Sequence, residues 1–133
     1  MAQQSNVAFA LKSWNEKPYN ELSGELKMTL TNVAYSYHGD IEGESTLDYL
    51  MVYRADGSGN YVGLERIIGR VANRSGSFVL QHTGTFDKTD VHGTFFVVPQ
   101  SGTGELVDLR GEGSIDLSGH AEQYPMIFKF SLD

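Results

Sequence analysis

The chain of 133 residues contains no cysteine and only three prolines. The lack of cysteine excludes disulfides, thiolate nucleophiles, zinc–sulfur sites and iron–sulfur clusters. Ten Lys and Arg stand against 17 Asp and Glu, and this net charge of −7 disfavours a nucleic-acid partner. No apolar run approaches the roughly 18 residues of a membrane span. Met1–Asn6 is polar and precedes no apolar run, so we expect no signal peptide and a cytoplasmic protein.

Glycine and aromatic residues, by contrast, are plentiful: 15 glycines, seven Tyr and seven Phe. The length fits one domain, and residues 1–133 are assigned to a single β-barrel domain. Runs of about ten residues end at turn signals, and no segment has helical periodicity. The predicted strands are Asn6–Trp14, Leu26–His38, Ile41–Ala55, Asn60–Ala72, Ser75–Phe86, Val91–Val98, Arg110–Leu117 and Tyr124–Leu132. A polar loop is predicted at Tyr19–Glu25 and one helical turn at Glu105–Leu109.

Eight long consecutive strands joined by tight turns predict an all-β fold, an eight-stranded antiparallel up-and-down barrel. Closure of the sheet also removes exposed strand edges, which would otherwise promote aggregation. A Greek-key sandwich is the alternative, but it needs longer connections than this sequence has.

Turn lengths predict which residues are neighbours across the strands. A two-residue turn at Asn73-Arg74 places Glu65 opposite His82, and a four-residue loop at Asp87–Asp90 places His82 opposite Phe95. A four-residue loop at Asp56–Gly59 places Leu50 beside Glu65. Gly63, Gly84 and Gly93 share this face, which we expect to be concave and to line the barrel because glycines permit sharp bending. In the alternative parity, Arg66, Gln81 and Tyr49 line the barrel instead.

Glu65 and His82 are the candidate catalytic residues, since a carboxylate beside an imidazole can support acid–base chemistry. A structural ion pair is the competing interpretation. The residues predicted to bind a ligand are Phe78, Leu80, Phe95, Leu50 and Arg110. His38, Asp40, Glu42 and Glu44 alternate in sequence, but a turn at Gly39-Asp40 favours a solvated acidic rim over a metal site. No metal or cofactor is predicted. The aromatic residues Trp14, Tyr35, Tyr37, Tyr49, Tyr53, Phe95 and Phe96 are interpreted as core before ligand contacts.

Three segments together resemble a known family. They are Gly39–Ser45, then Gly63–Arg66 with Gly76–Gly84, and Ser101–Leu106 with Leu109–Gly113. They resemble small bacterial proteins of unknown function whose barrel is similar to that of allene oxide cyclase. The resemblance implies an eight-stranded barrel, and in related cyclase and dirigent-type barrels a hydrophobic substrate occupies the cavity and oligomers are common. No cyclase active-site motif matches here.

Three functions therefore remain open. The first is a barrel that binds a small, partly hydrophobic molecule. The second is an isomerase or cyclase of the allene oxide cyclase type, with Glu65 or His82 moving a proton. The third is a filled barrel that acts only through oligomer or protein contacts. We expect a homo-oligomer with no nucleic-acid or membrane partner.

Overall fold

Eight antiparallel strands follow one another around a closed barrel, in the order of the sequence. The structure is a computed structural model that describes residues 3–21, 26–119 and 121–132. The strands are β1 (Gln3–Glu21), β2 (Lys27–Gly39), β3 (Ile41–Tyr53), β4 (Gly59–Val71), β5 (Arg74–Phe86), β6 (Asp90–Val97), β7 (Arg110–Ser118) and β8 (Tyr124–Ser131). A 3-10 helix spans Gly104–Leu106. The predicted barrel and its strand order are confirmed.

Side chains alternate between the lumen and the outer wall, as the pleat of a strand requires. In β4, for example, Tyr61, Glu65 and Ile67 are buried, whereas Val62, Leu64 and Arg66 are exposed. The face that carries Glu65 and His82 is therefore the inner face, and the alternative parity with Arg66 and Gln81 inside is wrong.

The first strand is much longer than predicted. It continues through Asn15–Pro18 and ends at Glu21, while residues 22–25 of the predicted loop lie outside the described residues. Register shifts follow Leu11 and Pro18, so β1 keeps pairing with β2 despite the irregular sequence. Pro18 fits because, among the described residues, β8 pairs with β1 only over Gln3–Phe9, and the later part of β1 has no described strand on that side.

One end of the barrel is closed by the connection between β6 and β7. Leu106 of the 3-10 helix and Leu109 are buried in the large core cluster with Phe78, Phe128 and Phe130. Gly76 lets this connection approach β5, since a Cβ there would lie 2.0 Å from the Thr103 carbonyl oxygen. A second, smaller core cluster occupies the other half of the lumen and contains Val33, Leu47, Tyr49, Met51 and Tyr61.

Two of the three predicted registers need correction. The turn after β4 is Ala72-Asn73, so Glu65 lies opposite Leu80 and His82 lies opposite Gly63. Strand β3 ends at Tyr53, so Leu47 rather than Leu50 lies beside Glu65, and Leu50 lies beside Val62. The third register, with His82 opposite Phe95 and Gly84 opposite Gly93, is confirmed.

In the described part of the chain, no helix is long and apolar enough to cross a membrane.

Candidate functional site

The half of the lumen opposite the 3-10 helix contains an open cavity of about 330 Å³. It opens at the end of the barrel formed by the β5–β6 and β7–β8 turns, which contribute Thr89 and Gly119. Its wall is mainly aromatic and aliphatic. The lining residues are Phe9, Leu11, Trp14, Tyr35, Tyr49, Met51, Tyr61, Phe86, Thr89, Val91, Ile115, Leu117, Gly119 and Tyr124.

The bulge in β1 brings two large side chains to the mouth of this cavity. Leu11 pairs with Tyr35 and Trp14 pairs with Val33, with one extra residue, Lys12, between the two registers. Because Leu11 and Trp14 are three positions apart, a regular strand would send them to opposite faces, and the bulge returns both to the cavity. Trp14 is 44% exposed and is the only tryptophan in the chain.

On the opposite wall, glycines leave a space that the Tyr61 side chain fills. Gly84 and Gly93 are paired across β5 and β6, and Cβ atoms there would lie 2.5 Å and 2.0 Å from the Tyr61 hydroxyl. The Tyr61 side chain therefore occupies the space that two side chains would otherwise fill. Its ring meets that of Tyr49 edge to face, with centroids 5.1 Å apart. The glycines of this face thus make room for aromatic rings.

Below the cavity lies a buried polar network centred on Glu65. Its Oε2 accepts hydrogen bonds from the Tyr37 hydroxyl at 2.6 Å and the Ser45 hydroxyl at 2.5 Å. Its Oε1 lies 2.8 Å from Nε2 of His82. Both Glu65 and His82 are buried, as is Tyr37. Three groups converging on one carboxyl group satisfy a side chain that would be costly to bury alone.

His82 has one ring nitrogen without a partner. Nδ1 is buried and makes no hydrogen bond with any described residue. The ring packs against Phe95, with centroids 5.4 Å apart, and meets Tyr49 edge to face at 6.3 Å. Glu65 and His82 do not line the open cavity. Tyr49, which touches both the cavity and His82, lies between them.

The tyrosines around the cavity strongly favour the neutral form. Burial raises the pKa of Tyr61 to about 12. Burial also raises the pKa of Tyr35 and of Tyr49, and the charge of Glu65 adds to both shifts. This part of the lumen therefore disfavours negative charge.

A second carboxylate lies at the mouth. Glu16 accepts hydrogen bonds from the hydroxyls of Tyr53 and Thr29 and from Nε1 of Trp14 at 3.2 Å. Partial burial opposes ionisation, but these donors and Lys27 together lower the pKa of Glu16. The Lys27 ammonium lies 4.8 Å from the centroid of the Tyr53 ring. Glu16 therefore fixes the orientation of the Trp14 indole at the cavity entrance.

The structure separates the residues predicted to bind a ligand. Phe78, Leu80 and Phe95 are buried inside the barrel but do not line the open cavity. Leu50 lies on the outer wall and is 41% exposed, because the observed β3–β4 register pairs it with Val62 and not with Glu65. Arg110 is exposed at the start of β7, on the opposite face from buried Leu109.

The alternating acidic segment does not converge either. Glu44 pairs with Lys12 on the exterior, and Glu42 lies 3.7 Å from His38 across the turn. The described residues contain no group of three or more His, Asp or Glu side chains that would hold a metal ion.

Sequence reasoning missed most of the cavity wall. Phe9, Ile115, Leu117 and Tyr124 line it and were not singled out, whereas Trp14, Tyr35 and Tyr49 were interpreted as core. The predicted register placed Tyr49 on the outer face, and only the bulge turns Trp14 inward, so strand parity did not identify either residue. In addition, no periodic signal distinguishes a wall residue of an open half from one of a packed half.

Comparison with known proteins places this barrel in a family. The model of DUF3224, a protein of unknown function, matches residues 6–130. The chain belongs to the DUF3224 family. It is similar to a DUF3224 protein of unknown function from Shewanella oneidensis MR-1, whose crystal structure was determined at 1.84 Å resolution. That chain is 28% identical, with a TM-score of 0.81 over 100% of this chain and 99% of its own. No curated protein matches this DUF3224 member.

Proposed function

We propose that this DUF3224 protein is a binding barrel that holds one small, largely hydrophobic molecule in the open half of its lumen. The observation that carries the proposal is the cavity of about 330 Å³ with its aromatic and aliphatic wall. Small-molecule sites have this character, and their volumes begin at about 300 Å³. A barrel that acts only through its outer surface gains nothing from such a cavity, whose walls forgo the packing of a filled core.

One half of the lumen is filled by buried side chains and the other half is open. This supports a stabilising role for the filled half and a binding role for the open half. Phe78, Leu80 and Leu106 are fully buried in the closed half and stabilise the fold. Phe9 and Tyr35 lie where the core cluster meets the cavity. The packed half then gives the open half a rigid floor, which preorganises it for a ligand.

Native mass spectrometry of protein purified from its own host tests the proposal. We expect the wild-type protein to retain one molecule per chain. A Leu117→Trp variant should retain none, because the bulky indole ring fills the cavity. Ile127→Trp is the matched control, because Ile127 is 46% exposed on the outer wall. A wild-type protein that carries no molecule and takes up none from a host extract would contradict a binding role.

An isomerase or cyclase of the allene oxide cyclase type is the second candidate. Its support is the buried Glu65–His82 pair at 2.8 Å, which is suited to moving a proton. The pair does not line the cavity, so a proton would have to pass through a group such as the Tyr49 hydroxyl. Incubation of the recovered molecule with fresh protein tests this: isomerisation changes its chromatographic retention at constant mass. Glu65→Gln should abolish that change, and an unchanged rate in the variant would rule out this mechanism.

A homo-oligomeric, cytoplasmic protein is the corresponding proposal for its state in the cell. Leu50 and Val62 are directly paired on the outer wall, and Leu64 follows beside them, all more than 40% exposed. Contiguous exposed apolar side chains of this kind are common at subunit interfaces. Light scattering on wild-type protein and on Val62→Glu tests this: the variant should dissociate, and a monomeric wild type contradicts the proposal.

A further inference from the structure

Within the described part of the chain, the cavity that we propose as a ligand site has no positively charged side chain in its wall. Among its lining residues there is no Lys, Arg or His. The single indole N–H at the mouth already donates to Glu16. A carboxylate or phosphate inside the cavity would therefore lose its hydration and meet no positively charged side chain among the described wall residues, which is unfavourable. The described wall residues therefore disfavour anionic ligands.

The described polar groups of the wall are mainly neutral hydroxyls, and two of these hydroxyls already have hydrogen-bond partners. The Thr89 hydroxyl donates to Asp87 at 3.1 Å. The Tyr124 hydroxyl accepts a hydrogen bond from the Ala121 backbone at 3.2 Å. The Tyr61 hydroxyl lies in the notch made by the paired glycines. The described wall residues include no carboxylate, so a primary ammonium, with three N–H donors, would find only neutral acceptors there.

What the wall offers instead is aromatic rings on two sides. Phe9 contacts Tyr35 at 4.9 Å and Tyr124 at 5.6 Å between centroids, which forms one aromatic cluster. Tyr49 contacts Tyr61 at 5.1 Å and Trp14 at 6.3 Å, which forms the other. Aromatic rings that surround a site bind quaternary ammonium groups through the negative potential of their faces.

The surrounding charge has the matching sign. The Glu65 carboxylate lies below the floor and acts electrostatically on Tyr35 and Tyr49, and Glu16 lies at the mouth. The chain as a whole carries a net charge of −7, which attracts cations to the opening. We propose that the open half of the barrel binds a hydrophobic quaternary ammonium compound, a cation whose charged group has no N–H that needs an acceptor. This inference rests on the proposed binding function and names its ligand class.

A pair of probes with the same shape tests the charge. Benzyltrimethylammonium and its neutral isostere neopentylbenzene differ in one atom, and phenylacetate supplies the anion. We expect isothermal titration calorimetry to show benzyltrimethylammonium binding at least about tenfold tighter than neopentylbenzene, since cation–π contacts strengthen when desolvated. Phenylacetate should not bind. Binding of the cation should also change the fluorescence of Trp14, the only tryptophan and a wall residue.

Variants separate the rings from the carboxylate. Tyr49→Leu should abolish the preference for the cation, whereas Tyr49→Phe, which keeps the ring, should retain it. Glu65→Gln keeps every ring and removes the negative charge. It should therefore weaken the binding of the cation several-fold and leave the affinity for neopentylbenzene unchanged. Circular dichroism establishes that each variant is folded before it is titrated.

Four other outcomes overturn the inference, and three of them leave the binding function standing. If neopentylbenzene binds as tightly as the cation, or phenylacetate binds, the charge assignment is wrong while binding stands. If the neutral dye N-phenyl-1-naphthylamine binds in the cavity but the cation does not, the charge assignment is again wrong and the binding function stands. If the dye fails to bind as well, both proposals are wrong.

Discussion

Replacement of Glu65 by leucine removes the centre of the buried network while keeping a side chain of similar volume. Tyr37, Ser45 and His82 would each lose their partner, and none is more than 5% exposed, so water cannot replace the carboxylate. One unsatisfied buried group costs about 1–3 kcal/mol. Removing one partner from a buried charged pair costs about 3–5 kcal/mol in all. We therefore expect Glu65→Leu to lose about 3–5 kcal/mol of unfolding free energy.

Urea denaturation followed by circular dichroism measures this loss. With a slope of about 2 kcal/mol per molar urea, a loss of about 4 kcal/mol moves the midpoint by roughly 2 M. Glu65→Gln keeps an acceptor for the Tyr37 and Ser45 hydroxyls and should lose much less. The matched surface control is Glu44→Gln on β3, where the carboxylate is exposed and the change should stay within about 0.5 kcal/mol.

A double-mutant cycle isolates the interaction between Glu65 and His82. If the pair stabilises the fold as described, His82→Leu in the Glu65→Leu background should cost less than it does in the wild type, since its partner has already gone. The reasoning is refuted if Glu65→Leu is as stable as Glu65→Gln, or if the two substitutions add without coupling.

Three further predictions concern other parts of the barrel. Gly93→Ala should destabilise the protein by about 1–3 kcal/mol, because its Cβ would lie 2.0 Å from the Tyr61 hydroxyl, and Tyr61→Phe should recover part of the loss in urea denaturation. Additive effects would contradict this packing. The hydrogen bond that Nδ1 of His92 donates to the Asp116 carboxylate raises the pKa of His92, so Asp116→Asn should lower that pKa in an NMR titration. Any stabilisation from that pair is fully present below the ordinary His pKa and is lost as the pH rises through the raised value; an unchanged pKa rejects the pairing. Leu106→Ala should cost about 2–5 kcal/mol yet leave dye binding intact, because Leu106 packs in the closed half; a loss of affinity in the folded variant would argue against separate halves.

The barrel was predictable because its signals are local and repeated. Turn residues separate eight runs of strand length, and most predicted boundaries lie within two residues of those observed. Strand β1 was the exception, since its bulges and Asn15–Pro18 resemble a loop in sequence. Only its pairing with β2 keeps this segment extended, and a pairing of that kind leaves no signal in the strand itself.

The site was predicted in part, and turn geometry explains the difference. The β4–β5 turn places Ala72 and Asn73 at φ values of 50° and 68°, and an alanine there is uncommon in the left-handed region. The observed β4–β5 register therefore differs from the predicted one by two residues, and this even difference keeps Glu65 and His82 on one face. At the β3–β4 turn the Arg54 amide donates to the Ser58 carbonyl oxygen. The observed register there differs from the predicted one by three residues. An odd shift reverses the face, which is why Leu50 lies outside and Tyr49 inside.

The central claim is that a small hydrophobic molecule occupies the open half of the barrel. The most direct measurement is a fluorescence titration with the neutral dye N-phenyl-1-naphthylamine, on wild type, Leu117→Trp and Ile127→Trp. We predict one dye per chain in the wild type and in the outer-wall variant, and loss of binding in Leu117→Trp. Equal binding by all three proteins would place the dye on the outer surface and contradict the claim.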